Sequence, residues 1–202
     1  MGLNPIGTTT GRCSLVEYLT FKKTSINMKS ITSIYLLGDK NKGKIGRIKE
    51  ISNEITFYWN KIKEENVIPK EAKRNYDLKA LLQKIEALSE ERILLKLYMQ
   101  CINMGYKKFT ELPKDNNYLN IFTLCEKTEQ LFHLSKIKTL DPKLKRSKGK
   151  KNLDKTEELT SAYIVGLKNK LQLEINKINK DITDFNEKAE LNIEAPALSL
   201  AA

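Results

Sequence analysis

From Tyr76 to Met104 the apolar positions Leu78, Leu81, Leu82, Ile85, Leu88, Leu95, Met99 and Ile102 are spaced by threes and fours. That spacing lies on one face of a helix. The second half of the stretch adds Ile93, Leu94, Leu97, Tyr98 and Cys101 on its other sides. A helix apolar all round needs cover on several sides, so this stretch is expected to be the central rod of a helical core. Asn75 is a suitable N-cap and Gly105 a suitable C-terminal cap. Arg92 stands where the spacing calls for an apolar residue. Its long stem predicts a guanidinium that snorkels to the surface; a carboxylate partner that sets helix register is the alternative.

The same rhythm predicts three more helices. Ile45, Ile48, Ile55, Trp59 and Ile62 mark one, with Ile51 bordering its face and Pro69 closing it. Ile121, Phe122, Leu124, Cys125, Leu131, Phe132 and Leu134 mark another, from Tyr118 to Lys138. The last runs from about Lys155 to Ala189 with a narrow seam of Ile164, Leu167, Leu171, Ile175, Ile178, Ile182 and Phe185. That is a coiled-coil stripe with one four-residue insertion, which relaxes the supercoil. The expected fold is all-α: an elongated helical bundle or coiled coil of about four helices with mobile ends. Residues 1–27 read as a loose N-terminal tail, 28–191 as a single helical domain with a basic linker at 138–152, and 192–202 as a C-terminal tail.

The chain has 202 residues and a net charge of +11, unevenly placed. Lys138–Lys151 holds seven basic residues and one acid, and residues 1–27 hold three basic residues and Glu17, so the remainder is close to balanced. Within it Lys143, Lys145, Arg146, Lys148, Lys150 and Lys151 could neutralise phosphates, with affinity that falls steeply with salt. No aromatic residue lies between Phe132 and Tyr163 to stack a base, so a single-strand platform is not expected there. No apolar run reaches the roughly 20 residues of a membrane span. Three cysteines without a short paired spacing suit a reducing compartment, cytoplasmic or similar. Residues 1–27, poor in acids and rich in Ser and Thr, also suit an organellar presequence.

Candidate chemistry is sparse. Gly38 and Gly43-Lys44 match part of a phosphate-binding loop, but Ile45 stands where the loop needs a magnesium-binding hydroxyl. The same residues, Gly38 to Ile51, resemble the KOW segment of some ribosomal and transcription proteins, where a glycine turn between two strands presents basic residues to RNA. The helical run from Ile45 argues against the second strand. His133 is the chain's one histidine and reads as structural. Glu86, Glu90 and Glu91, or Glu157 and Glu158, read as solvated faces paired with lysines rather than as catalytic carboxylates. No catalytic residue, cofactor or metal site is expected.

The order of segments resembles the septicolysin-like family of small bacterial helical proteins. The residues that carry this are Leu81 to Leu88, reading LLQKIEAL, and the Ile102-Asn103 pair, then a shorter helix, a basic break and a long terminal coil. The likeness spans roughly Ser30 to Leu191, although the terminal coil lacks that family's closing Asn-Trp. It implies a small helical fold, and the family's name implies a membrane-active cytolysin. The residues themselves favour a non-enzymatic interaction or assembly protein that self-associates or binds a protein partner through its terminal coil. Association with RNA or DNA through the basic linker is the alternative, and membrane activity the third reading. A membrane partner is not expected from the seam, which lacks the aromatic edge of interfacial helices, and no small-molecule substrate is evident.

Overall fold

A computed structural model describes residues 30–114, 116–140 and 154–190. The first described element is the short helix α1, Ser33–Leu37, started by Thr32, whose Oγ1 accepts from the Tyr35 amide at 3.2 Å. Gly38 then turns the chain at a positive φ of 91°. Strand β1 (Gly38–Asp39) pairs antiparallel with β2 (Lys44–Ile45), Gly38 opposite Ile45. Between them lies a single 3₁₀ turn, Lys40–Lys42, which the Asp39 carboxylate begins by accepting from the Asn41 amide. The turn between two strands that the KOW likeness requires is present, but the element after it is helical.

Two glycines close this clasp. A β-carbon at Gly46 would overlap the Leu37 carbonyl carbon and the Gly38 nitrogen, whereas one at Gly43 would meet open space. Gly46→Ala is therefore expected to cost about 1–3 kcal/mol, towards the upper end because the obstructing atoms are backbone. Gly43→Ala, strained only by its φ of 62°, is expected to cost about 1 kcal/mol. Urea unfolding of the two variants reads the difference, and equal losses would contradict the clasp.

Helix α2, Arg47–Glu65, buries Ile51, Ile55, Trp59 and Ile62. Ile45, expected at the head of that face, precedes the helix and is 57 % exposed, while Ile51 lies at its centre rather than its border. The following Val67–Pro69 is a strand, β3, paired antiparallel with β4, Lys155–Glu157. Hence the terminal helix begins at Ser161, not near Lys155, and the described residues are predominantly helical with two small two-stranded ribbons rather than a pure four-helix bundle or coiled coil.

The central rod is α3, Leu78–Asn103. Asp77, not Asn75, is its N-cap, accepting from the Ala80 amide at 2.9 Å. Glu158 adds a second cap from far along the chain, accepting from the Leu78 and Lys79 amides. A carboxylate there satisfies orphan donors and meets the positive end of the helix dipole. At the other end Gly105, at φ 77°, takes the left-handed position after the helix, and the Tyr106 amide returns to the Cys101 carbonyl. Helix α4, Tyr118–Ser135, and helix α5, Ser161–Lys188, complete the described elements.

The core divides by face of the rod, since Leu95 lies between Ile93 and Leu97 in the chain yet joins the other cluster. One cluster joins Leu36, the α2 face, Leu78, Leu81, Ile85 and Leu95 of α3, Leu134 of α4, Leu159, and Ile164 and Leu171 of α5. The other joins Ile93, Leu97 and Cys101 to Leu112, with Tyr106, Phe109, Tyr118, Leu119 and Phe122 around them. Ile93, Leu97 and Cys101 are closed by the loop after the rod and by α4, while α5 packs mainly on α4. Each aliphatic side chain so buried contributes about 1.5–3 kcal/mol relative to exposure.

Candidate functional site

The densest chemistry lies between the two clusters, on the faces that α2, α3 and α4 turn towards one another. Helix α4 was expected to bury Ile121, Cys125 and Phe132, yet all three are exposed. Its buried residues are Glu126, Gln130 and Leu134, each four apart and so on one helix face. Opposite them α3 buries Ser89 and Arg92. A polar stripe thus faces a polar stripe.

Arg92 does not snorkel. Its Nε donates to both oxygens of Glu126, at 2.8 and 3.0 Å, and its Nη2 lies 2.5 Å from Glu126 Oε2 and 2.5 Å from Glu129 Oε2. Nη1 donates to Ser52 Oγ at 3.0 Å, and Ser52 in turn donates to the Ile48 carbonyl. Lys96 Nζ reaches Glu126 Oε1 at 2.8 Å. The Glu126 carboxylate is 1 % exposed and held by two cations. Burial pushes the Arg92 guanidinium down, but Glu126 and Glu129 more than offset it and hold it above its ordinary value. Such charge-assisted contacts are short and geometrically demanding.

Two further groups flank the cluster. Lys127 bridges Glu86 of α3, at 2.9 Å, and Glu174 of α5, at 3.1 Å, while Gln130 donates to Glu86 and Ser89. Arg47 grips Glu91 through Nε and Nη2, at 2.9 and 3.2 Å, and Glu54 through Nη1. Its hydrogen bond to Glu91 leads the effects that hold it above the ordinary arginine value. Arg92–Glu126 and Ser89–Gln130 show that α3 and α4 run antiparallel. The carboxylates read as solvated faces are mostly cross-links between elements: Glu86 to α4, Glu91 to α2, Glu157 to the Leu140 amide at 2.6 Å, and Glu158 to the start of α3.

A third constellation lies at the other end of the α2–α4 contact. His133 stacks on Trp59, with centroids 5.0 Å apart and planes within 7°, and its Nδ1 is 2.8 Å from Lys63 Nζ. Burial and the Lys63 charge push the imidazole below its usual value. Burial and Lys136 likewise lower Lys63. Trp59 Nε1 is buried with no hydrogen-bond partner.

Chemically, the central cluster is a clamp. Both oxygens of Glu126 are engaged by cations, and among the described residues no group of His, Cys, Asp and Glu is arranged to hold a metal ion. Cys101 is buried, and its thiol is pushed up by that burial, away from reactivity. The residues expected to contact phosphates, Lys143, Lys145, Arg146, Lys148, Lys150 and Lys151, lie outside the described residues. Of the seam, Ile164, Leu171 and Ile175 are buried, and Leu167, Ile178, Ile182 and Phe185 are half-buried. The sequence signal for the clamp was Arg92 itself, a charge on an apolar face; Glu126 gave none, because an acid on a helix is ordinary. Comparison of this chain with family models, with curated proteins and with solved structures gives no match.

Proposed function

We propose that the protein is a non-enzymatic helical interaction protein, self-associating or holding a helical partner along the C-terminal half of α5. The observation that supports this is how the α5 seam is spent. Leu134 near the end of α4 shares a cluster with Ile164 at the start of α5, and Lys127 meets Glu174 midway. In that antiparallel register Tyr118, the first residue of α4, is level with Thr183. Phe185 and the turn around it extend past α4. Ile178, Ile182 and Phe185 belong to neither core cluster and stay half-buried, while Ile164 and Leu171 belong to the core. Ile178 and Ile182 lie beside the first turns of α4 yet stay half-buried, and Phe185 lies beyond Tyr118, so this end of the seam is only partly covered and is suited to a further helix.

Light scattering across a wide concentration range tests this. The wild type is expected to show a concentration-dependent rise in mass, and Ile178→Lys with Ile182→Lys to remain monomeric with an unchanged circular dichroism spectrum. A wild type that is monomeric throughout and captures no partner helix contradicts the reading.

Nucleic-acid association remains the second reading, supported by the flanks of the basic segment. Leu140 is tied to Glu157, the Lys70 amide donates to the Asp154 carbonyl, and β4 is paired to β3. Leu140 and Asp154, which flank residues 141–153 in the chain, are thus both held beside the β3–β4 ribbon.

A further inference from the structure

We propose that Trp59, Lys63 and His133 form an acid-sensitive latch between α2 and α4: neutral His133 holds the two helices together there, and its protonation releases them. The chain contains one tryptophan and one histidine, and they are stacked on each other. Lys63 Nζ lies 2.8 Å from His133 Nδ1, a contact in which the ammonium donates and the neutral ring nitrogen accepts. An imidazolium has no lone pair to offer. Protonation therefore abolishes this hydrogen bond by chemistry alone, and leaves two cations where a donor and an acceptor had met.

The surroundings offer the new charge no place. From α2 the ring faces Lys63 and Trp59; from α4, Glu129, with Lys136 bearing on Lys63; from α3, Arg92. Two cations, Lys63 and Arg92, stand against one carboxylate, and Glu129 is already engaged by Arg92 at 2.5 Å. The Trp59 N–H favours the same outcome, because it has no acceptor in the closed arrangement and reaches water when the ring moves. Opening is local: the Arg92–Glu126 clamp, which contains no histidine, holds α3 to α4 elsewhere.

Burial and Lys63 lower the folded-state value of His133. Its contribution to stability is therefore complete above the unfolded value of about 6.5 and is lost as pH falls from there through the lower folded value.

The test uses the full chain and two readouts. Tryptophan emission reports only Trp59, and the imidazole ring resonances report only His133, so each titration has one source. One emission step is expected, coincident with the His133 titration and with a midpoint below about 6.5. Lys63→Met should raise that midpoint by about half a pH unit or more, and His133→Gln should abolish the emission step. Added salt should raise the wild-type midpoint by screening the cations, a result that needs no variant. An emission step that survives His133→Gln, a midpoint at or above the ordinary value, or one indifferent to both Lys63→Met and salt, would overturn the latch.

Discussion

Arg92→Met is expected to destabilise the protein by about 3–5 kcal/mol, the largest single effect in the fold. The variant keeps the volume of the stem but leaves Glu126, 1 % exposed, with Lys96 as its remaining cation. Lys96 is itself partly exposed and approaches one oxygen, so the other carboxylate oxygen loses every partner it had. Ser52 also loses a donor. A buried carboxylate so stripped must protonate or draw water in, and either route is costly. Replacing both partners, Arg92→Met with Glu126→Leu, removes the stranded charge and is expected to recover most of the loss, because buried ion pairs and apolar replacements of similar volume are often close in stability. Urea unfolding of the two singles and the double gives the coupling directly.

Asn66→Ala is expected to cost about 3 kcal/mol, from unmet backbone groups rather than lost volume. Asn66 is fully buried at the end of α2. Its Nδ2 donates to the Lys138 and Leu159 carbonyls, at 2.8 and 3.0 Å, and its Oδ1 accepts from the Leu159 amide at 2.7 Å. One side chain thus ties α2 to the segment that leaves α4 and to the segment that leads into α5. Arg74 extends the knot by donating to the Glu65, Asn66 and Thr156 carbonyls. Asn66→Asp should be no better than alanine, since a carboxylate can accept from Leu159 but only repels the two carbonyls. Hydrogen exchange at the Leu159 amide should accelerate strongly in both variants; an unchanged rate would show that something else holds this junction.

These two sites also show what a single sequence makes legible. The rod from Leu78 to Asn103 was readable because a long helix repeats its spacing many times, and Gly105 was readable because a left-handed turn favours glycine. Helix α5 was readable for the same reason. The ribbons were not. Two or three residues per strand are too few to display alternation, and Lys155–Glu157 has no apolar member at all. Helix α4 misled more deeply. Ile121, Cys125 and Phe132 are apolar by type and face solvent, while Glu126 and Gln130 face inwards. Residue type predicts burial only when apolar contact drives the packing; here a paired arginine drives it, and the pairing spans 34 residues of chain with no local trace. Arg92 on an apolar face was the visible half of that pair.

The charge clamp holds the fold together, and the proposed interaction surface lies on α5. Light scattering of the Arg92→Met/Glu126→Leu double variant, taken with its unfolding curve, separates the two most directly. The expected result is a stability near the wild type with self-association unchanged. A double variant that folds as stably as the wild type but no longer associates would contradict it, and would make the buried cluster itself the functional site.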